Sequence, residues 1–325
     1  MRKIFIKLAK LLGFELIDQN DFFSPTLEKK LNDDLSIFND KSIILPLGDV
    51  KITRKVNSIL IIVRMNTDIE IWDQNKKRLF EEPKIEYSIR SINSLIKSIN
   101  HCQNELSKLK IKTVIIDDNS KVENLNKIKN LIKNNNIELI SLNHEKYKPV
   151  IKQQKSDQTF SNLASLLQSF EHGKDKGDDL IFFVEDDYLH TKTMLKEIIL
   201  SFERISSQTN SDIFMCPSDY PYNYMNHGNT NVLIGSHRHW RTIDKTLCTF
   251  LTTKKLIDKY WDNFFQNCLD RHDPFEKYLN EIYQKETCIS PIKSLSLHMT
   301  NINSSYGLSP FIDYKELWDD NKFDA

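Results

Sequence analysis

Leu180-Ile181-Phe182-Phe183-Val184-Glu185-Asp186-Asp187-Tyr188 runs five apolar residues straight into three consecutive carboxylates. A short apolar run rich in Phe and Val reads as a strand buried on both faces of a parallel sheet. Three adjacent acids at its C-terminal end repel one another and resist desolvation, so they call for a positive partner. In open α/β sheets the ligand crevice lies beyond the carboxyl ends of the strands, and hard divalent cations take carboxylate oxygen. The stretch therefore predicts a Mg²⁺ or Mn²⁺ site that bridges to a phosphate-bearing substrate. An exposed acidic turn capping the next helix is the plainer alternative.

Just before this strand, apolar residues at helical spacing (Leu163, Leu166, Leu167, Phe170) predict a helix over 160–172. Upstream, 58–63 (SILIIV) and 113–116 (TVII) read as buried strands and 137–142 as a shorter one, separated by helices over 89–109 and 122–133. Strands alternating with helices imply βαβ units, hence an α/β fold with a mostly parallel central sheet flanked by helices and right-handed crossovers. Downstream the pattern predicts helices over 194–205, 254–265 and 274–283, and strands over 212–216, 232–234, 246–251 and 294–298. The loop 217–231, with Tyr220-Pro221-Tyr222-Asn223-Tyr224, is too long for an idle connection and is expected to face a glycan or lipid-linked acceptor. The expected organisation is an N-terminal amphipathic helix and extension (1–55), a main domain (56–310) with a nucleotide-binding half (56–190) and an acceptor half (191–310), and a polar tail (311–325).

Composition narrows the function. With 325 residues and 39% hydrophobic content the chain has ample material for a core. Lys plus Arg equals Asp plus Glu at 45 each, so the whole-molecule field gives no argument for a nucleic-acid partner. Cys102, Cys216, Cys248, Cys268 and Cys288 are scattered and odd in number, which favours reduced thiols in a cytoplasmic compartment. Only seven glycines occur, in neither the dinucleotide nor the P-loop pattern, so a phosphate site would have to use a metal. No apolar run approaches the roughly 20 residues that span a bilayer. Residues 1–14 do carry Arg2, Lys3, Lys7 and Lys10 with no acid before Glu15, and Ile4, Phe5, Leu8, Leu11 and Leu12 recur at helical spacing. That pattern suits a helix lying on the anionic inner face of a membrane, or an ordinary surface helix packed on the body of the protein.

Three predicted strand ends carry unusual polar residues: Arg64 and Asn66, then Asp117-Asp118-Asn119-Ser120, then Glu185-Asp186-Asp187. Their order and spacing over about residues 57–190 resemble the glycosyltransferases of the GT-A fold, in particular the inverting family 2. These move a sugar from a nucleotide-diphosphate donor. Arg64-Met65-Asn66 stands where that family has T-Y-N, Asp117 to Ser120 match its D-D-[GN]-S, and Glu185-Asp186-Asp187 its D-x-D-type motif. The resemblance implies that Asp118 accepts the base N–H, that Arg64 and Asn66 line the nucleoside pocket, and that Asp187 ligates a Mn²⁺ or Mg²⁺ ion. Glu185, with Asp186 beside it, would assist near the ribose or through metal-bound water, and the late His298 would be a further metal ligand. An inverting base is implied at the start of a late helix, where Asp273 is the first candidate and Asp270 the second.

Each has a plainer reading. D-D-N-S suits a turn, Asp273-Pro274 with Glu276 suits a helix cap, and a lone His after a strand is often structural. The stretch His237-Arg238-His239-Trp240-Arg241 is expected to hold donor phosphates through Arg238 and Arg241, with Trp240 stacking on a sugar, or to be a basic aromatic loop. Two other functions fit the same elements: nucleotidyl transfer, and a silent nucleotide-sugar-binding module.

Overall fold

The computed structural model describes residues 2–14, 50–68, 78–225, 230–300, 302 and 304–323. Most of the expected N-terminal extension (15–49) and residues 226–229 of the aromatic loop lie outside them. In chain order the first half contains α1 (Arg2–Leu11), β1 (Ser58–Met65), α2 (Lys84–Glu105), β2 (Lys110–Asp117), α3 (Val122–Ile132), β3 (Ile137–Ser141), α4 (His144–Tyr147), α5 (Asp157–Lys176) and β4 (Leu180–Glu185). The second half contains β5 (Tyr188–His190), α6 (Met194–Thr209), β6 (Phe214–Met215), α7 (Tyr222–Met225), β7 (Val232–Ile234), β8 (His239–Thr242), β9 (Phe250–Thr253), α8 (Lys254–Lys259), α9 (Trp261–Leu269), α10 (Lys277–Tyr283), β10 (Cys288–Pro291), β11 (Ser296–His298) and α11 (Tyr314–Asp320).

One sheet organises the molecule, in the order β3-β2-β1-β4-β9-β6-β10-β8-β7. Its first four strands are parallel, as the βαβ rhythm predicts, with β1 between β2 and β4. Beyond β4 the sheet is mixed: β9 runs antiparallel to β4 and β6, and β8 antiparallel to β10 and β7, while β10 and β6 are parallel. A separate antiparallel pair joins β11 to β5.

The central strands are apolar throughout because both faces are covered. Ile59, Ile61 and Val63 of β1 pack into one core layer with α2 and α6, through Ile89, Ile92, Leu195 and Ile198. Leu60 and Ile62 point the other way, into a second layer with Leu163, Leu166, Leu167 and Phe170 of α5. In β4, Leu180, Phe182 and Val184 enter the first layer, and Ile181 and Phe183 the second, following the two-residue period of a strand. Helix α5 lies close against β4 at Gly173, where a Cβ would stand 2.9 Å from Phe183 Cζ.

Several elements depart from expectation. Strands β5, β8 and β10 are short and are not evident in the sequence; β8 carries polar residues yet buries Trp240 completely. Helix α10 begins at Lys277 rather than at residue 274, and neither Asp273 nor Glu276 caps it through a side-chain hydrogen bond. The stretch expected as a polar tail contains α11. Its Trp318 is buried and stacks on Phe80 at 4.4 Å between ring centroids, and the Trp318 carbonyl accepts from Arg90 at 2.5 Å. Tyr314 and Leu317 pack into the same small cluster beside Trp318, so an apolar face of only one helical turn docks the segment.

Candidate active site

Parallel pairing brings the three polar strand ends to one rim. Arg64 lies opposite Glu185 across the β1–β4 pair, and Met65 opposite Asp117 across β1–β2. Asn66, just past β1, ties the two flanking tips together. Its side-chain amide donates to Asp118 Oδ2 at 3.1 Å, and its backbone N–H to Asp186 Oδ2 at 3.3 Å. A cavity of about 880 Å³ opens over this rim, lined by Arg64, Asn66, Lys84, Asp118, Asp187 and His298 among others.

The triple-acid tip finds its positive partners within the chain. Arg64 donates to Glu185 Oε1 at 2.7 Å and is held from behind by Asn162 Oδ1 at 2.8 Å. Burial works against the Arg64 charge, but Glu185, together with smaller contributions from other groups including Asp186, outweighs it and the guanidinium pKa is raised. Burial pushes Glu185 above the usual carboxylate range, against the pull of Arg64, with Asp187 adding to the rise. Lys84, the first residue of α2, donates to Asp186 Oδ1 at 2.6 Å, and Ser88 one turn on donates to Asp186 Oδ2 at 2.5 Å. Asp186 is thereby turned onto α2, as an anchor between that helix and the end of β4.

Asp187 is placed differently. His298 Nε2 stands 3.4 Å from its Oδ2, while its Oδ1 is buried with no hydrogen-bond partner. Burial alone would raise the Asp187 pKa, but His298, and behind it Lys84 and Arg64, hold it below the usual range. Burial depresses His298, yet Asp187, with Glu185 and the Tyr306 carbonyl behind it, outweighs burial and the His298 pKa is raised. His298 Nδ1 lies 2.8 Å from the carbonyl of Tyr306, and the ring stacks on Tyr188 at 4.8 Å. A carbonyl can only accept, so Nδ1 carries a proton and Nε2 is the nitrogen left to face Asp187. An orphaned buried carboxylate oxygen beside a backbone-oriented imidazole suits a divalent cation, so Asp187 and His298 are the pair that could hold one. Among the described residues no cluster of three His, Cys, Asp or Glu side chains does so unaided, since Glu185 and Asp186 are committed to Arg64 and Lys84.

The second tip does form the turn that D-D-N-S suggests, with Asn119 at φ 55° and Ser120 Oγ accepting from Thr67 N at 3.0 Å. Asp117 is buried beneath it, and burial raises its pKa. Asp118 instead lines the cavity, held by three donors: Asn66, His144 Nε2 at 2.8 Å and Ser161 Oγ at 3.2 Å.

Asp273 is exposed and lines the same cavity. Asp270 also lines it, but its carboxylate accepts from Gln154 at 3.2 Å and pairs with Lys152 at 3.3 Å. Hydrogen bonds from Gln154 and Lys152 lower its pKa despite slight burial. Asp270 therefore fastens the 152–154 segment to the loop that carries Asp273. Glu276 lines the same wall.

The basic aromatic stretch does not reach this cavity. Strand β8 sits next to the far edge of the sheet, beyond β10, where Arg238 donates to the carbonyl of Lys293 at 2.6 Å and Arg241 pairs with Asp219. Trp240 is wholly buried and donates Nε1–H to Ser201 Oγ at 3.1 Å, so its face is not offered to a sugar. These residues lie toward the far end of the sheet, and none of them lines the cavity. Conversely, Lys84, His144 and Asn162 belong to the site although the sequence reading passes over them. His144 follows β3, and the ligand-edge rule applied to the other three strands would find it. Lys84 and Asn162 sit at or near the starts of helices and carry no signal of their own.

No family model matches the chain, and no curated protein matches it in sequence. Among solved structures, S. aureus TarS 1-349 is 12% identical over 74% of this chain, with a TM-score of 0.44. This chain covers 59% of that TarS fragment. The inositol-1-phosphate CTP transferase of T. maritima is 12% identical, covering 82% of this chain and 97% of its own, with a TM-score of 0.40. The galactosyltransferase LgtC in complex with donor and acceptor sugar analogues is 11% identical over 70% of this chain and 72% of its own, with a TM-score of 0.36. Likeness of this order says nothing about activity, which has to be read from the residues of the site.

Proposed function

We propose that the chain is a glycosyltransferase that moves a sugar from a nucleotide-diphosphate donor to a glycan or lipid-linked acceptor. The observation that carries this reading is the shared rim: Asp118, an acceptor pinned by three donors, and Asp187, with its orphaned oxygen, line one cavity, and Asn66 ties the Asp118 tip to Asp186, the residue next to Asp187. A nucleotide diphosphate, with its nucleoside at Asp118 and its diphosphate toward Asp187, is the ligand class that would use both features. Asp273, Phe275 and Glu276 line the same cavity, and an acceptor hydroxyl would enter beside them.

Asp118 binds and orients: it can only accept hydrogen bonds, so it selects a base edge that offers an N–H. Asn66 and Arg64 fix the floor of the donor pocket. Asp187 and His298 would hold Mn²⁺ or Mg²⁺, which when bound neutralises charge developing on the departing diphosphate. Lys84, pinned by Asp186 at the cavity wall, adds positive field at the same end. Asp273, exposed and without a helix-capping role, would take the proton of the acceptor hydroxyl, and direct attack would invert the anomeric centre.

The test is turnover of a panel of nucleotide-diphosphate sugars with Mn²⁺. Release of nucleoside diphosphate by the wild type, lost in Asp187→Asn and reduced at least a hundredfold in Asp273→Asn, supports the reading. Nucleotide binding with no turnover would indicate a silent module. Pyrophosphate release from a nucleoside triphosphate would indicate nucleotidyl transfer.

A further inference from the structure

The N-terminal helix contributes no lining residue to the cavity. Helix α1 exposes Ile4, Phe5, Leu8 and Leu11, and Leu12 follows, at 56–86%; Phe14 beyond them is 69% exposed. Six of the thirteen large hydrophobic side chains exposed among the described residues fall in this one stretch, whereas the others are scattered. An ordinary surface helix packed on the body of the protein would bury this face. At 100° per residue Ile4, Phe5, Leu8, Leu11 and Leu12 lie within an arc of about 120°. Gly13, at φ +81°, closes the helix, with Phe14 N–H donating to the Ala9 carbonyl at 2.8 Å.

Charge says what covers the face. The chain as a whole is balanced at 45 cations and 45 anions, yet residues 1–14 hold Arg2, Lys3, Lys7 and Lys10 and no acid. By helical spacing Lys3 and Lys10 fall on the side opposite the apolar arc, and Lys7, which is exposed, flanks it. An apolar stripe of aliphatic and phenylalanine side chains backed by lysines fits the boundary of a bilayer, with the stripe among acyl chains and the ammonium groups among anionic headgroups. Among the described residues no helix is long and apolar enough to cross a membrane, so contact would be made in the plane of the surface.

We infer that α1 is a membrane-surface anchor that binds anionic lipid bilayers, independently of whatever the cavity transfers. The experiment is co-sedimentation of the full chain with large unilamellar vesicles of phosphatidylcholine alone and of phosphatidylcholine mixed with phosphatidylglycerol. The wild type is expected to bind the anionic vesicles at least about tenfold more tightly, and less tightly as salt rises. Phe5→Ser/Leu8→Ser/Leu12→Ser should lose binding to both. Lys3→Gln/Lys7→Gln/Lys10→Gln should lose the preference for phosphatidylglycerol. Both variants should retain the wild-type thermal unfolding profile of the domain and its nucleotide-binding behaviour. Absence of binding to anionic vesicles, binding that the variants leave unchanged, or vesicle-free dimerisation abolished by the apolar variant would each overturn the assignment. None of those outcomes touches the glycosyltransferase reading, which is judged on turnover.

Discussion

Asp186 and Asp187 are adjacent in sequence but should fail in different ways, and Asp186 gives the sharper test. Its carboxylate receives Lys84 Nζ, Ser88 Oγ and the backbone N–H of Asn66, with Asp186 and Lys84 side chains only 10% and 13% exposed. Asp186→Ala would leave a nearly buried ammonium without its counter-charge, together with a hydroxyl and an amide without an acceptor. Removing one partner of a buried pair costs about 3–5 kcal/mol. Residual solvent access at this rim places the expected loss near the lower end, at about 3 kcal/mol. Lys84→Met alone should cost less, because Ser88 and Asn66 still satisfy the carboxylate. The double variant Lys84→Met/Asp186→Leu should recover much of the loss, since both desolvation penalties disappear. Urea unfolding of the four proteins closes the cycle, with an expected coupling of about 2 kcal/mol. A coupling under about 0.5 kcal/mol would show that the pair is solvated, and Asp186 could then not be the anchor between α2 and β4.

Other consequences can be measured separately. His190 is wholly buried, its pKa pushed down to about 3, so as pH falls below 6.5 the unfolded chain takes up a proton that the folded one refuses. Its contribution to stability is therefore lost toward acid, with a slope approaching about 1.4 kcal/mol per pH unit. His190→Gln should flatten the acid limb of a urea-midpoint profile, and parallel profiles would contradict this. His144→Ala removes the 2.8 Å bond that orients Asp118. Calorimetric titration should show about tenfold weaker binding of the preferred nucleoside diphosphate and poorer discrimination between bases, with partial rescue by His144→Gln. Gly173→Ala would set a methyl 2.9 Å from Phe183 Cζ and 3.1 Å from Ile181 Cγ2. The gain in helix propensity, about 1 kcal/mol, should be outweighed by overpacking, for a net loss of about 1–2 kcal/mol in chemical denaturation.

Much of this arrangement is legible in the amino-acid order. The apolar strands at 58–63, 113–116 and 180–184, and the acids that end two of them, signal a parallel layer with its ligand edge at the strand ends. That signal is local: two-sided burial demands continuous apolar residues, and a turn at the rim demands polar ones. The amphipathic pattern of residues 4–12 is equally plain, though only the exposure of that face separates an anchor from a packed surface helix. The short strands β8 and β10 leave no such trace, because four residues toward one end of the sheet are too few to show a periodic pattern.

Read alone, the chain specifies that three acids end a buried strand and need positive charge. Which charges answer them is set by packing in three dimensions. Arg64 comes from the neighbouring strand, Lys84 from a helix start and His298 from the paired β11, separated in sequence from their acids by about a hundred residues. Coulombic attraction acts through space, and only the sheet register and helix crossovers bring these partners within its reach. The same geometry leaves one oxygen of Asp187 unpaired while satisfying its two neighbours, a distinction that three like residues in a row cannot express.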